Sequence, residues 1–377
     1  MKNRFLSGLL TAALLVFHSP SWAEDIDLFV QPPPTATDLP NVLILLDNTA
    51  NWNNAFTNEI ASLVSTVNSL PVKADGSGKF RVGLMLFTET GGSNSNSDGG
   101  YIRAAVRELN SDNKPKYMAL LNSFDKLGDK SNGGKLGKTM VEAYRYFYGM
   151  APYAGNGKIK TDYTGNTSGT AASNAIYALV DNNARPNNAL ASKNGSPYLS
   201  PVLPGSCAKN FIIYISNGAA QDNTNDTTAA TNELSSAATA AGISGATTAI
   251  PISPSGSQDN VGDEWAKFLR KSSHGVVTYT VDVDKISTGQ GPGWTALLKS
   301  MASVSNGKYF SVSSSGADIS NALNTIFSEI QSVNSVFASV SLPVSVNTQG
   351  TYLNQIFIGM FRPDGNGLPR WSGNLKQ

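Results

Sequence analysis

The sequence predicts an α/β protein with a doubly wound, mostly parallel sheet, and two kinds of segment support this prediction. Val42 to Leu46 and Phe211 to Ile215 are continuous apolar runs, which are typical of strands buried on both faces of a sheet. Segments with apolar residues at helical spacing alternate with such runs along most of the chain. Alternation of strands and helices favours the α/β class, and the right-handed crossover rule leaves few topologies for it.

The remaining elements are predicted from their periodicity. Residues 101–109 alternate polar and apolar side chains, which predicts an edge strand with one exposed face. Other strands are predicted at 81–87, 276–283 and 307–312. Asn53 or Asn54 is the candidate N-cap of the first helix. The predicted helices have apolar stripes at Phe56, Ile60, Leu63, Val64 and Val67; at Leu136, Met140, Ala143, Tyr144 and Phe147; at Val261, Trp265, Phe268 and Leu269; at Trp294 to Val304; and at Ile319, Leu323, Ile326, Phe327 and Ile330.

The first residues predict export from the cytoplasm. Lys2 and Arg4 precede a short apolar run, and Ser21-Trp22-Ala23 offers the small residues that a signal peptidase recognises. Because the run is too short to cross a bilayer comfortably, residues 1–23 are interpreted as a signal peptide and not as a membrane anchor. Residues 24–40, acidic and then proline-rich, are predicted to be an extended leader.

The body of the chain is predicted to contain one large domain and a smaller unit. The α/β domain is expected at 41–333, with an insertion at 150–206 that has almost no core-forming pattern. After it, residues 336–346 alternate Val or Phe with Ser, and 352–361 form a further strand pattern. Residues 334–377 are therefore predicted to begin an antiparallel β linker unit, which leads to a C-terminal domain absent from this sequence.

Composition excludes several function classes. Without Lys2 and Arg4, 26 of the 28 basic residues remain against 27 acidic ones, and no basic block stands out. This argues against nucleic acid as a partner. The single cysteine, Cys207, is expected either to be a buried small residue or to have a partner outside this sequence. With His18 in the signal peptide, His274 is the one remaining histidine, and no motif of a known catalytic centre is present. The sequence therefore predicts that the chain is not an enzyme.

Three polar loops are expected at the carboxyl edge of the sheet, where ligands bind in open α/β folds. Asp47 to Asn51 follows the first strand, Asn132 to Gly137 opens a helix, and Ser216 to Gly218 follows the strand 211–215. A carboxylate and hydroxyls spaced by two residues can surround a hard divalent cation with oxygen ligands. The loops therefore predict a candidate site for Mg²⁺ or Ca²⁺.

The sequence resembles the von Willebrand A family in three features. They are an apolar strand that ends in an aspartate, a later Gly-Gly loop, and a strand that ends in a polar residue before a glycine. More specifically, the chain resembles the N-terminal region of the PilY family, also called PilC, of type IV pilus tip-associated adhesins and biogenesis factors. The resemblance rests on the segments Pro40 to Asn48, Glu142 to Phe147, Ile215 to Gly218, Gly359 to Pro363 and Arg370 to Lys376. It covers most of residues 25–377. It implies a Rossmann-like fold, a loop-borne metal site and a following β-propeller-like domain.

The metal motif departs from the family pattern. The candidate ligands are Asp47, Thr49, Asn51 and Asn217, of which Asn51 replaces a serine and Asn217 an aspartate. Lys135 stands where the family has a threonine, and Thr139, one turn further on, is a doubtful replacement. Loss of a carboxylate weakens a hard-cation site. We therefore expect a degenerate site without metal, in which the Lys135 ammonium pairs with Asp47.

Two other segments have alternative interpretations. Residues 222–226 resemble a calcium loop loosely but lack its glycine turn and final glutamate, so turn and N-cap roles are favoured. Tyr153, Tyr163, Tyr177 and Tyr198 in the insertion suit either a binding face or packing onto the sheet.

The resemblance implies a binding and force-bearing domain at the cell surface or pilus tip, either outer-membrane associated or secreted. Its expected partners are the minor pilins and a host or surface ligand, and the helix 316–333 would transmit tension to the following β unit. Two alternatives remain. The chain could be a structural cap of the minor-pilin priming complex that promotes assembly without adhesion, or an unrelated secreted von Willebrand A binding protein.

Overall fold

A computed structural model describes residues 39–49, 54–87, 99–124, 134–153, 197–285 and 291–334, with the backbone of 358–362 and 372–376. The predicted signal peptide, almost all of the leader and the strand pattern at 336–346 lie outside these ranges. Of the predicted insertion, only the two ends are described, at 150–153 and 197–206. Within the described ranges, no helix is both long and apolar enough to span a membrane.

Six strands form the central sheet. They are β1 (Asn41–Leu46), β2 (Arg81–Phe87), β3 (Gly100–Glu108), β4 (Asn210–Ser216), β5 (Val277–Val283) and β6 (Tyr309–Val312). Their order is β3-β2-β1-β4-β5-β6, and every neighbouring pair is parallel except β2 with β3. The order reverses direction at β1, which pairs with β2 on one side and β4 on the other. The predicted α/β class with a mostly parallel sheet is confirmed.

Helices cover both faces of this sheet. They are α1 (Asn54–Ser69), α2 (Asn113–Asn122), α3 (Leu136–Phe147), α4 (Thr224–Ala241), α5 (Gly262–Lys271), α6 (Gly291–Val304) and α7 (Gly316–Asn334). Helices α1, α2 and α7 pack in one apolar core and α3 to α6 in a second one. Strand β1 contributes Val42, Ile44 and Leu46 to the first core and Leu43 and Leu45 to the second. This explains its continuous apolar run, since a strand between two helical layers has no exposed face.

Strand β3 differs from its prediction. It lies at the sheet edge and runs antiparallel to β2, but all its residues are buried. The polar members of its alternating pattern include Arg103 and Arg107, which are both buried. The Arg103 guanidinium lies over the Phe124 ring at 5.8 Å, and Arg107 donates a hydrogen bond to the Val106 carbonyl at 2.9 Å. The prediction of one exposed face was wrong because arginine can be buried when its charged group has partners.

Two helices, α2 and α4, have no counterpart among the predicted elements. The buried face of α4 consists mainly of Ala230, Leu234, Ala237 and Ala238. Its remaining residues are largely Thr, Ser and Asn, so the helical period of apolar side chains is weak in the sequence. A second sheet has two strands and pairs β7 (Ile358–Arg362) with β8 (Ser372–Lys376).

Candidate functional site

The loops after β1 and β4 meet at the carboxyl edge of the sheet, as predicted. Leu46 pairs with Ile215 in the last register position, so Asp47 and Asn217 follow neighbouring strands. The Asp47 N–H donates to the Ile215 carbonyl at 3.0 Å, and the Asn217 Nδ2 donates to the Asp47 carbonyl at 3.2 Å. Two of the predicted site residues are therefore in direct contact.

Thr49 folds back on Asp47. Its N–H and its hydroxyl both donate to Asp47 Oδ1, at 2.8 Å and 2.6 Å. Burial raises the pKa of Asp47 to about 6, and the hydrogen bonds from Thr49 and from the Asn217 backbone oppose this rise only in part. Asn51, the fourth predicted ligand, lies outside the described residues. Three of the four predicted site residues are thus brought together.

Glu59 is a further member of this site, and the sequence motifs did not predict it. It belongs to the second turn of α1, is completely buried and accepts a hydrogen bond from Asn217 Nδ2 at 3.0 Å. Burial raises the pKa of Glu59 well above its usual value, and the Asp47 carboxylate adds to the rise. A signal was present in the sequence. Glu59 lies three residues after Phe56 and four before Leu63, so it is an acidic residue on the apolar stripe of a helix.

The third predicted loop reaches the same edge, but its lysine has another role. A Cβ at Gly134 would lie 2.7 Å from Thr49 Cγ2, so the loop passes close to Thr49 and requires glycine there. Lys135 Nζ pairs with Asp226 at 2.9 Å and also donates to the Gln221 carbonyl. The predicted pairing of Lys135 with Asp47 was therefore wrong, because a closer carboxylate outside the metal motif holds the ammonium group.

Thr139 does not replace the missing threonine ligand. Its hydroxyl donates to the Lys135 carbonyl at 2.8 Å, within the first turn of α3. The Thr139 hydroxyl therefore donates to a backbone carbonyl at the start of its own helix and not to the Asp47 carboxylate. The oxygen groups around Asp47 therefore come from Thr49, Glu59 and Asn217.

The segment 222–226 caps two helices. The Asp222 carboxylate accepts from the Leu136 and Gly137 N–H groups, at 2.9 Å and 3.0 Å, at the start of α3. Asn223 and Asp226 form a capping box at the start of α4. Lys138 also pairs with Asp226, at 2.7 Å. The turn and N-cap interpretation is confirmed over the calcium-loop alternative.

The ends of the predicted insertion are fixed to α3. The Glu142 carboxylate accepts from the Tyr153 N–H at 2.9 Å and from the Tyr198 hydroxyl. Tyr198 is buried against the Tyr146 ring, with centroids 5.3 Å apart. These two tyrosines pack onto the domain, whereas Tyr163 and Tyr177 lie outside the described residues.

Neither His274 nor Cys207 joins the carboxylates. His274 precedes the amino end of β5, at the edge of the sheet opposite to Asp47, and it stacks on Tyr148 with centroids 4.1 Å apart. Its loop position agrees with the sequence interpretation. Cys207 is exposed, which excludes the alternative that it is a buried small residue. In the part of the chain that the structure describes, no group of three or more His, Cys, Asp or Glu side chains is placed to hold a metal ion.

Comparison with known proteins identifies no family. No protein-family model matches the chain, and no curated protein matches it. Similar solved structures include proximal thread matrix protein 1 from the mussel byssus, with 10% identity and a TM-score of 0.39 over 77% of this chain and 47% of that one. A mutant of the PilB minor pilin from Streptococcus sanguinis is 10% identical, with a TM-score of 0.41 over 80% of this chain and 62% of that one. The pilus adhesin SpaC from Lactobacillus rhamnosus GG is 11% identical, with a TM-score of 0.40 over 78% of this chain and 30% of that one.

Two of these three structures are pilus-related proteins. This chain spans between 30% and 62% of the length of the three. At such low identities and TM-scores, the similarity supports no conclusion about function. The class that the fold itself defines is a Rossmann-like α/β domain with a buried polar cluster at the carboxyl edge of its sheet.

Proposed function

We propose that this chain is a non-catalytic binding domain of an exported, type IV pilus-associated protein. The observation that best supports a binding role is that His274 lies away from the polar cluster at Asp47. The polar cluster at Asp47 contains carboxylate, amide and hydroxyl groups, while His274 lies at the opposite edge of the sheet. Among the described residues, the imidazole that could act as a general base therefore lies away from the Thr49 hydroxyl, and the groups of the cluster are suited to hydrogen bonding with a ligand.

The pilus-tip assignment is supported by the sequence resemblance, above all by Gly359 to Pro363 and Arg370 to Lys376. The function proposed on this basis is adhesion to a host or abiotic surface, with the minor pilins as partners in assembly. The predicted insertion is the proposed adhesive segment, because tyrosine, serine and asparagine provide adaptable contacts at binding surfaces.

The structure allows a sharp test of the insertion. The Tyr198 N–H donates to the Met150 carbonyl at 2.9 Å, so the chain leaves α3 and returns at the same place. Residues 154–196 can therefore be replaced by a short Gly-Ser linker while Tyr153, Tyr198 and their hydrogen bonds to Glu142 remain. We expect bacteria with this variant to assemble pili normally and to lose surface adhesion.

A matched control replaces the exposed residues 247–249, between α4 and α5, with Gly-Ser-Gly. It should leave both adhesion and piliation unchanged. Loss of piliation in the insertion variant, with a melting temperature equal to that of the natural chain, would instead support the assembly role. Normal adhesion and normal piliation together would contradict the proposal.

A further inference from the structure

A cavity of about 580 Å³ lies beside the end of β5 and the first half of α6. This volume is typical of sites for small ligands, which occupy roughly 300–1,000 Å³. The described residues that line the cavity include two lysines, two hydroxyl residues and two prolines, namely Lys285, Lys299, Ser253, Thr295, Pro254 and Pro292. The polar cluster at Asp47 contributes none of the described lining residues, so the cavity is a separate site.

The charged groups at this cavity are positive. Lys285 follows β5 and Lys299 lies on α6, and no ion pair found among the described residues includes either of them. The Lys299 ammonium lies over the Tyr309 ring, 5.3 Å from its centroid. No aspartate or glutamate is among the described residues that line the cavity. Two ammonium groups without a carboxylate beside them favour an anionic ligand.

Thr295 adds a second requirement. Its hydroxyl donates to Asp282 Oδ2 at 2.8 Å, and the Tyr309 hydroxyl donates to the same oxygen at 2.9 Å. The Asp282 carboxylate is completely buried and is not part of the cavity lining. Because a hydroxyl has one proton and two lone pairs, the Thr295 oxygen can only accept a hydrogen bond from a ligand. The ligand therefore needs an O–H or N–H donor as well as an anionic group.

The rest of the lining is apolar and held in place. Pro254, Pro292 and Ala296 contribute hydrocarbon surface, on which the C–H groups of a small ring can pack. The segment with Pro254 approaches α6 closely, since a Cβ at Gly293 would lie 2.6 Å from Gly256 Cα. This backbone contact fixes one wall of the cavity against the helix, so the site is formed before a ligand arrives.

An acidic sugar provides the three features that the cavity requires, which are a carboxylate, hydroxyl donors and C–H groups on a ring. We infer that this cavity binds an acidic sugar, either free or at the end of a polysaccharide. Lys285 and Lys299 are the cationic groups for the carboxylate, and Thr295 accepts a hydrogen bond from a sugar hydroxyl. The inference goes beyond the proposed adhesive function, which is assigned to the insertion, and it does not depend on that function.

The test measures binding to the purified chain, so its outcome is independent of adhesion and piliation. D-glucuronate, D-galacturonate and N-acetylneuraminate are titrated separately, with calorimetry and ligand-observed NMR as readouts. We expect at least one of them to bind with a Kd of about 1 mM or tighter. D-glucose lacks the carboxylate and acetate lacks the hydroxyls, so each should bind about tenfold more weakly or less. Tetragalacturonate that binds more tightly than galacturonate would indicate a polysaccharide end, and equal affinities the free acid; both results agree with the inference.

Substitutions assign the binding to the cavity. The double variant Lys285→Gln and Lys299→Gln should weaken binding about tenfold or more, because hydrogen bonds from charged groups are the strong ones. Its matched control is the double variant Lys209→Gln and Lys271→Gln. It removes the same charge at exposed positions before β4 and at the end of α5, and it should leave the affinity unchanged.

Thr295 is tested by a pair of variants. Thr295→Val removes the acceptor and should weaken binding, whereas Thr295→Ser keeps the hydroxyl and should retain it. Three results would overturn the inference. They are no binding of any of the three acids up to about 10 mM, binding of inorganic phosphate or glucose as tight as that of the acids, and an affinity that the double variant of Lys285 and Lys299 does not change. If Thr295→Val does not fold, the lysine variants decide the question.

Discussion

At the scale of single residues, Asp222 stabilises the domain by joining segments that are distant in the sequence. Its carboxylate accepts two N–H groups at the start of α3 and the Asn260 side-chain amide at 3.0 Å. Burial raises the pKa of Asp222 to about 6, although the helix N–H groups oppose this rise. The carboxylate therefore acts as the N-cap of a helix to which it does not belong.

Asp222→Ala should lower the free energy of unfolding by about 1–2 kcal/mol, the usual effect of removing a helix cap. Urea unfolding at neutral pH measures this change. The control is Asp259→Ala, because Asp259 is exposed, and its effect should stay within about 0.5 kcal/mol. Equal effects of the two substitutions would show that the Asp222 cap does not stabilise the fold.

A second residue, Glu264, should make stability depend on pH. It is buried, accepts the Ile250 N–H at 2.8 Å, and has its pKa raised to about 8 by burial and by the neighbouring Asp263. The folded state therefore keeps a proton that the unfolded state releases near the ordinary value of 4.5. Consequently, the free energy of unfolding should fall as pH rises from about 4.5 to about 8.

Glu264→Gln should reduce this slope, since glutamine does not titrate. The measurement is urea unfolding in EDTA at several pH values between about 5 and 8, for the natural chain and the variant. An identical slope in the two proteins would mean that Glu264 titrates normally in the folded state.

Residue-level roles were only partly predictable from the sequence. Asp47 and Asn217 were predicted because each lies in a polar loop that directly follows an apolar run, and the carboxyl ends of parallel strands share one edge. Glu59 was missed because its role depends on the packing of α1 against the sheet, which brings it to Asn217. The Lys135 pairing was wrong because the competing carboxylate, Asp226, belongs to a helix that was not predicted.

At the scale of elements, the turn between α6 and β6 constrains the sheet. Asn306 has φ of +63°, and Gly307 follows it, two residues before β6. A Cβ at Gly307 would lie 2.0 Å from the Thr278 carbonyl oxygen, in β5. Only glycine allows the backbones of this turn and of β5 to approach so closely.

Gly307→Ala should therefore lower the free energy of unfolding by about 1–3 kcal/mol, because the rigid backbone of β5 must move. Gly316→Ala is the matched control. It replaces a glycine at the start of α7, whose added Cβ would meet only Ser62 Oγ at 3.5 Å. Thermal unfolding followed by circular dichroism compares the two, and a Gly307→Ala variant as stable as Gly316→Ala would contradict the expected clash.

The elements that were predicted share strong apolar patterns. Strands β1 and β4 contain the continuous apolar runs 42–46 and 211–215, and α7 has six buried apolar residues on one stripe. Helix α4 was not predicted because its buried face is mainly alanine, which buries little apolar area and gives a weak apolar pattern. The helix nevertheless has a complete capping box.

At the scale of the whole molecule, the sheet should be most resistant to opening at its centre. Strands β1 and β4 each pair on both sides and are completely buried, whereas β6 pairs only with β5 and is partly exposed. Hydrogen exchange followed by mass spectrometry should show the slowest exchange in β1 and β4, limited by global unfolding, and faster exchange in β6. Equal protection of β6 and β1 would contradict this order.

The pairing of Met150 with Tyr198 has a consequence for the evolution of the chain. When a domain holds both ends of a connecting segment in place, each doubling of the length of that segment costs only about 0.6 kcal/mol in the conformational entropy of loop closure. Selection can therefore lengthen, shorten or exchange residues 154–196 while the sheet domain retains its fold. The same property makes this position suitable for grafting a foreign peptide, and it predicts that diversity among strains concentrates between these two anchors.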